Sequence, residues 1–452
     1  MFADVSFPIS SYQIFSYKIP KSLSGKVAVG MRVKAMFGRR KAQGIVVKIK
    51  KTTEFKGRIR PIESLVDDQP VLDPTLWKLI NWLAEYYYTP LGIAAKTALP
   101  SNLSTRYKPK VQMMVKATGR KSELPKQAKA QSAIVHHLQN QESFVSVNSL
   151  NEFSSNPANV CRKLIEKNLI EMKEKPIIPD LTEFSFKPIH KNIRFTNFQN
   201  QAINKICERL DKNQFNPFLL HGVTGSGKTE IYIEAVRHTL DQNKTVIILL
   251  PEISLTPQIA GRFQAVFGDA VALWHSKLSQ SARAWVWKRI CAGYYKVVIG
   301  ARSAIFTPLK DLGLIVVDEE QESSYKQDTR DPRYHARDVS LMRGKIHNAV
   351  VVLASATPSL ESYYNHIKGK FEYIHLSERF GGAKYPNVHI VDLIKESEKT
   401  KIYGSLFSKI LLGKIAERIE KKEQVILLHN RRGFAPVLRC MDCGEIEMCP
   451  NC

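Results

Sequence analysis

The amino-acid sequence predicts a multidomain α/β chain, and three observations carry that expectation. The length of 452 residues leaves room for roughly three domains, each able to bury its own core. Over the first hundred residues apolar and polar positions alternate around closely spaced glycines, as in VAVGMRVKAMFGRRKAQGIVVKIKK, a pattern of short strands joined by turns. From about residue 190 the pattern changes. Apolar runs (FLL, TVIILLP, KVVIGA, LIVVDEE and AVVVLASAT) recur between helical stretches, which implies a parallel sheet covered on both faces.

Taken in chain order, residues 1–105 read as a small N-terminal β domain. Within them LDPTLWKLINWLAEYYY, from Leu72 to Tyr88, shifts to helical spacing and ends at TPLG. The polar, basic TGRKSELPKQ reads as a linker. Residues 125–175 hold three short helical patterns, the last of them NPANVCRKLIEKNL running into the strand-like IEMKEKP. That order suits a winged helix within a segment of 106–180, although a plain helical connector fits nearly as well. After PIIPDL comes the α/β segment, 190–375, and then a shorter stretch, 376–452.

Charge narrows the partners. Lys plus Arg number 67 against 42 Asp plus Glu, a net charge of +25, and a polyanion is the leading explanation, with a merely basic, solvated surface as the bland one. The N-terminus, MFADVSFPIS, has no basic run leading into an apolar core, and no segment approaches the ~18 apolar residues that a membrane helix needs. The expectation is a soluble, cytoplasmic protein with no membrane partner. Of seven cysteines, Cys161, Cys207 and Cys291 are scattered and read as buried, reduced thiols, whereas the others crowd the last stretch.

The strongest motif is Gly222-Val-Thr-Gly-Ser-Gly-Lys-Thr229, which fits G-x-x-x-x-G-K-[ST] directly after a strand and before a helical pattern. Gly222, Thr224, Gly225, Ser226 and Gly227 form a loop whose backbone wraps phosphates; Lys228 reaches the β and γ phosphates of ATP and Thr229 ligates Mg²⁺. Downstream, LIVV delivers Asp318 and Glu319 to the carboxyl edge of the sheet, where ligands of such folds sit. Asp318 is expected to hold the Mg²⁺ shell, and Glu319 to polarise the attacking water.

Polar loops follow other strands: PEISLTPQ, GARSAIF and ASATPS. Together, in this order, these motifs resemble a superfamily 2 helicase. LLPEISLTPQ, DEEQESSYKQ with RYHARD after it, SATPSLES, and HNRRGFAP followed by CMDCGEIEMCPNC resemble the PriA family of replication-restart helicases, and YKIP, MFGRR and YYYTPLG extend the likeness to the N-terminus. The resemblance implies a RecA-like P-loop helicase lobe over 190–375 and the start of a second lobe with a zinc-binding insertion over 376–452. It implies ATP-driven 3′→5′ unwinding at stalled forks, recognition of a 3′ end by the N-terminal domain, and primosome assembly. The implied partners are branched or forked DNA, primosome proteins, single-stranded DNA-binding protein and a replicative helicase loader.

Residue by residue, the resemblance gives Gln199 the reading of adenine. It gives Arg302, Tyr325, Lys326, Arg330, Arg333, Tyr334, His335 and Arg337 contacts with DNA, most of them in an aromatic-rich loop over 320–338. Chemistry agrees, since aromatic rings stack on bases and Arg or Lys meets phosphates. Phe15, Ser16, Tyr17, Gly38 and Arg60 fall at the 3′-end pocket. Ser16 stands where many members have Asp, and Arg60 stands in place of Lys; Ala301 replaces the usual Thr of GARSAIF. Arg431 and Arg432 are expected to contact DNA or nucleotide, without being the later arginine motif of the family.

Cys440-x2-Cys443-x5-Cys449-x2-Cys452 has the paired spacing of Zn²⁺ ligands. The interval between pairs is short for one closed site, and the family assembles two zinc sites from eight cysteines. With only the start of a second lobe, the chain reads as truncated: able to bind ATP and DNA, and slow to hydrolyse ATP alone. Two other readings remain at this point, another superfamily 2 translocase and a non-catalytic fork-DNA-binding module.

Overall fold

The computed structural model describes residues 1–452 apart from 54, 56, 101–102, 104–110, 120–124, 126–127, 142–143, 177–193, 252–256, 380–385, 402–405, 429–437, 440–442 and 448–452. The chain divides into two compact units, Met1–Ala383 and Lys384–Cys452. Among the described residues no helix is long and apolar enough to cross a membrane.

The first unit begins with five strands, β1 (Phe2–Ser6), β2 (Phe15–Lys18), β3 (Arg32–Phe37), β4 (Arg40–Lys50) and β5 (Ile62–Leu65). They form one antiparallel sheet in the order β2-β1-β4-β3-β5. Because strand side chains alternate between faces, Ala3, Val5, Tyr17, Val33, Ala35 and Val46 reach one apolar core together with Phe7. The sequence expectation of a small β domain holds here.

Two helices follow, α1 (Pro74–Tyr86) and α2 (Leu91–Ala98). Asp73 caps α1 by accepting from the Thr75 and Leu76 amides, and Pro74 occupies the first turn, where its missing N–H costs nothing. The apolar stripe of α1 and the alanines of α2 do not join the β core. Leu76, Leu79, Ile80, Leu83, Ala94, Ala95 and Ala98 share a core with Trp274, Trp287, Phe306, Ile315 and Val317 of the later α/β sheet. The helical hairpin, grouped with the β domain in the sequence, is thus packed into the lobe, because the β sheet fills its own apolar face from within.

Next come β6 (Val111–Ala117), α3 (Lys129–Gln139), β7 (Val145–Ser146), a 3₁₀ turn over Val147–Glu152, α4 (Pro157–Glu166) and β8 (Ile170–Pro176). Ile134, Leu138, Leu150, Cys161 and Leu164 form their core. The sheet order is β7-β6-β8, so β8 pairs with a strand that precedes the helices.

The lobe is built from α5 (Asn197–Asp211), β9 (Asn216–Gly222), α6 (Lys228–Asp241), β10 (Thr245–Leu249), α7 (Pro257–Phe267), β11 (Val271–Trp274), α8 (Gln280–Cys291), β12 (Val297–Gly300), β13 (Leu312–Asp318), α9 (Ala336–His347), β14 (Val350–Ser355), α10 (Leu360–Ile367) and β15 (Glu372–Leu376). All seven strands are parallel, in the order β11-β12-β10-β13-β14-β9-β15. Central strands such as β10 and β14 are buried at every residue, as expected for a sheet covered on both faces. Strands β9 and β13 flank β14. At a strand spacing of about 4.8 Å, the loops that follow them therefore open about 10 Å apart on the same edge.

In the second unit, α11 (Leu393–Thr400) and α12 (Lys409–Glu420) are capped by Asp392 and Ser408, and β16 (Leu438–Arg439) pairs antiparallel with β17 (Ile446–Glu447).

Candidate nucleotide cleft and its flanking loops

The cleft opens where β9 and β13 end. Gly225 and Gly227 take φ of +82° and +83°, which only glycine adopts without strain, and Gly227 caps α6. A side chain at Gly227 would also collide with the Gln199 amide. The loop therefore turns its amides and the positive end of α6 toward a space of about 820 Å³, bounded by Gln199, residues 223–230, Arg262, Asp318 and Glu319. Thr224 and Gly225 stand at its exposed rim and Thr229 is half-buried in the first turn of α6.

Lys228 Nζ donates to the Gly222 carbonyl at 2.8 Å and lies 3.7 Å from Glu319 Oε1. The Ser226 hydroxyl is buried in the cleft wall with no hydrogen-bond partner. An orphan hydroxyl beside a ring of amides and one ammonium is the arrangement that a phosphate oxygen completes.

On the opposite lip, Asp318 Oδ1 accepts from Tyr232 Oη at 2.9 Å and from the Glu319 amide at 3.1 Å. Burial raises the Asp318 carboxyl above its ordinary value, with the Tyr232 hydrogen bond pulling the other way and the Glu319 charge adding to the rise. Burial likewise pushes the Tyr232 phenol well up, so it stays a donor. A carboxylate lining the same cleft as Thr229 and the phosphate loop fits magnesium with a nucleotide. Glu319 has φ +46°, an uncommon backbone for a side chain of this size. Its carboxylate also accepts from Gln321 Nε2 at 3.0 Å, and Ser355 donates to Gln321 Oε1 at 2.6 Å. A chain of polar contacts thus leads from Glu319, the residue expected to polarise the attacking water, to the ASATPS loop after β14.

Gln199, expected to read adenine, is 3 % exposed and engaged at both ends. Its Oε1 accepts from the Thr196 amide at 2.9 Å, closing a capping box, and its Nε2 donates to the Ser226 carbonyl at 2.9 Å. It pins the phosphate loop to α5. Two charged groups at the cleft escaped the sequence reading: Arg194, and Arg262 of α7, which is ion-paired with Glu230. Neither falls in a motif, so composition offered no signal. Tyr232 could have been found, one helical turn beyond Lys228 on the same face.

The aromatic-rich loop corrects the expectation for three residues. Tyr325 and Tyr334 are each 1 % exposed, and their rings offer no face to a base. Tyr325 Oη donates to the Asp318 carbonyl at 2.7 Å, and Tyr334 packs edge-on against Phe306. Arg337 is buried and paired with Glu320 at 3.1 Å. These side chains hold the loop together, because aromatic rings next to a tightly packed sheet lower their free energy more by burial than by exposure. Lys326, Arg330 and Arg333 are exposed and Arg302 is half-exposed. Arg302 donates to the Lys326 carbonyl and stands over the Tyr334 ring. His335 caps α9, and its amide donates to Tyr87 Oη at 3.1 Å, so the α1–α2 hairpin braces the loop.

In the β domain, Phe15 packs edge-on against Phe7 and Phe37, Tyr17 Oη donates to the Met36 carbonyl at 2.9 Å, and Arg60 donates to the Gly38 carbonyl. Burial raises the Tyr17 phenol and the nearby Arg60 charge opposes it. The fold therefore brings Phe15, Tyr17, Gly38 and Arg60 together. Ser16 points to the other face of the sheet, where it donates to Asp4 Oδ1 at 2.7 Å; Lys50 pairs with the other Asp4 oxygen. The carboxylate missing at position 16 has a counterpart directly across the strand pair.

Cys161 is buried and Cys207 and Cys291 half-buried. Burial raises all three thiols, the last two to about 11, which suits inert reduced thiols. Cys443 is exposed, while Cys440, Cys449, Cys452, Arg431 and Arg432 lie outside the described residues. Among the described residues no group of three or more His, Cys, Asp or Glu is placed to hold a metal.

Comparison with known proteins gives the class first. Residues 196–365 match the DEAD/DEAH box helicase family and residues 4–100 match the 3′DNA-binding domain (3′BD) family, so the cleft lies in a helicase-type lobe. The chain is 38% identical over 462 residues to "Replication restart protein PriA" of Chlamydia pneumoniae, covering 100% of this chain and 61% of that one. It is 34% identical over 523 residues to the protein of the same name in Bacillus subtilis, covering 100% of this chain and 65% of the other. The chain is thus similar to the PriA replication restart proteins over its whole length, and it spans about three fifths of the length of these relatives.

Proposed function

We propose that the protein is an ATP-dependent DNA helicase that recognises branched replication forks and initiates primosome assembly for replication restart. The observation that carries this reading is the cleft itself. An orphan Ser226 hydroxyl, the Lys228 ammonium and the Glu319 carboxylate 3.7 Å from it face one space in a lobe that matches helicases, on a chain that also matches a 3′DNA-binding domain.

In this reading the loop amides and Lys228 bind the phosphates of ATP, with Lys228 exchanging the Gly222 carbonyl for phosphate oxygen. Asp318 and Thr229 would hold Mg²⁺, which supplies charge neutralisation on the phosphates when bound. Glu319 orients water and takes its proton as the water oxygen attacks the γ-phosphorus and the bond to ADP breaks. Gln199 acts by fixing the phosphate loop. Lys326, Arg330, Arg333 and Arg302 meet DNA phosphates, and the Phe15, Tyr17, Gly38 and Arg60 cluster meets a DNA 3′ end.

The unwinding polarity, the cytoplasmic location and the primosome partners, single-stranded DNA-binding protein and helicase loader among them, follow from the family reading. The paired spacing of Cys440, Cys443, Cys449 and Cys452 supports Zn²⁺, and Arg431 and Arg432 are nucleotide or DNA contacts of the second lobe. The helical unit of 111–176 supports a winged-helix role through exposed Arg162, Lys163 and Lys167 on or beside α4.

ATP hydrolysis measured with and without forked DNA, on these 452 residues and on the full-length protein, tests the reading. Hydrolysis stimulated by forks in the full-length protein is expected. Fork binding with no hydrolysis in either would replace the motor by a DNA-binding module.

A further inference from the structure

The nucleotide cleft holds a cation that the phosphate loop does not supply. Arg262 of α7 borders the same space as residues 223–230, Asp318 and Glu319, and its place follows from how α7 packs. Ala260 and Phe263 are buried in a core shared with Ile231, Ala235 and Val236 of α6. Arg262 stands beside Phe263 on the helix, about 100° round, so it leaves that core at the edge of α7, and its side chain is 47 % exposed. There its Nη2 pairs with Oε1 of Glu230, a buried residue in the first turn of α6. Direction along the cleft can be read from α6. Lys228 and Tyr232 are four residues apart and share a face of the helix. That face looks toward the end of β13, since Tyr232 donates to Asp318 and Lys228 Nζ lies 3.7 Å from Glu319 Oε1. Glu230 is two residues from Lys228, about 200° round the helix. The Glu230–Arg262 pair therefore sits on the side of the phosphate loop away from Asp318 and Glu319.

We propose that Arg262 binds the α-phosphate of the nucleotide, held at the mouth of the cleft by Glu230. The proposal rests on the ATP reading above and adds a residue to it. Lys228 and Glu319 mark the end of the cleft where the γ-phosphate reacts, so a nucleotide laid along the loop brings its α-phosphate to the other end, beside Arg262. A guanidinium carries five N–H donors in one plane, and the Glu230 carboxylate can occupy only one edge of it. The remaining edge can offer a phosphate two parallel charge-assisted hydrogen bonds. By holding the long side chain in place beforehand, Glu230 spares the nucleotide part of the entropy cost of ordering it. Tying α7 to α6 is a poor account of the pair, because an ion pair with one partner half in water adds little to stability and the apolar core between the two helices already joins them.

The test is the affinity of the full-length protein and its variants for fluorescent analogues of ATP and of ADP. Arg262→Gln is expected to weaken both by about tenfold, by the same factor for each, because both nucleotides carry an α-phosphate. Arg262→Lys keeps the charge without the planar fork and is expected to recover part of the loss; it carries the same test should Arg262→Gln fold poorly. Glu230→Gln is expected to weaken binding by about twofold to threefold when Arg262 is present, and to have no effect in the Arg262→Gln background. Thermal unfolding without nucleotide is expected to match wild type for Arg262→Gln, so that the lost affinity reports a contact and not the fold. Wild-type affinity in Arg262→Gln, a loss confined to ATP, or equal losses in the two single variants would overturn the inference alone. A wild-type protein that binds neither nucleotide removes the ATP reading, and the inference falls with it.

Discussion

The nucleotide cleft and the aromatic-rich loop are built from similar residue types within one lobe, yet they are held in opposite ways. In the cleft Lys228 and Thr229 are half-buried, the Ser226 hydroxyl has no partner, and the Asp318 carboxyl is raised by burial. In the loop Tyr325, Tyr334, Glu320 and Arg337 are buried with their polar atoms hydrogen-bonded or, for Tyr334, ringed by Phe306 and Arg302. Groups kept waiting for a ligand are left incomplete, at a cost in stability that the rest of the fold offsets. The buried groups of the loop are complete, and hold its backbone in one place.

The largest expected effect tests the first half of that contrast. Lys228→Ala in the full-length protein should lower ATP hydrolysis on the order of a hundredfold to a thousandfold, the size lost with a preorganised charge at a reacting group. Lys228 belongs to no apolar core but donates one hydrogen bond, to the Gly222 carbonyl, so the loss in stability, read by thermal unfolding, should be only about 1 kcal/mol. A variant that lost far more stability along with its activity would show that the cleft, like the loop, is held by completed contacts.

Tyr334→Ala probes the second half. Removing a ring that is 1 % exposed and packed on Phe306 should cost about 3 kcal/mol or more, read by chemical denaturation. If Tyr334 served chiefly as a stacking platform, stability would hold and only DNA affinity would fall.

The same contrast explains what the sequence made legible. The phosphate loop and Asp318–Glu319 were readable because a ligand fixes both residue type and spacing, and the parallel sheet was readable from five apolar runs, which left out its two edge strands, β11 and β15. The fate of Tyr325, Tyr334 and Arg337 was not, since an aromatic beside an arginine has the same letters whether it meets a base or a neighbouring turn. Nor was the home of the α1–α2 hairpin, whose apolar stripe demands a partner without saying which sheet supplies it. Asp4 opposite Ser16 was hidden for a simpler reason: cross-strand neighbours depend on register, and the two residues are twelve apart in sequence.

Acid offers a way to separate the two regions with one variable. At the far end of α9, the helix that begins at the loop, burial and the Arg343 charge lower His347 to about 4. An unfolded histidine titrates near 6.5, so between these values the unfolded chain binds a proton that the folded chain refuses. The His347 contribution is therefore full above about pH 6.5 and is lost as pH falls, by up to about 1.4 kcal/mol per unit. Denaturation at pH 7 and pH 5 should show a loss of about 2 kcal/mol from this group, and His347→Gln should flatten it. The Asp318 carboxyl is raised, so magnesium–nucleotide affinity should also fall on acidification, and His347→Gln should leave that fall as it is.

The smallest effect belongs to an exposed cation of the loop. Arg333 has only a 3.7 Å ion pair with Asp331, both side chains about two-thirds exposed, and a pair of that kind contributes about 0–1 kcal/mol. Arg333→Ala should leave folding untouched. If it meets a DNA phosphate, binding should weaken by a similar amount for every sequence tested, and the slope of log affinity against log salt should shrink by about one. A slope that does not change would place the DNA path elsewhere on the lobe. The same salt titration on Lys326 and Arg330 variants would show whether either neighbouring cation of the loop makes the contact instead.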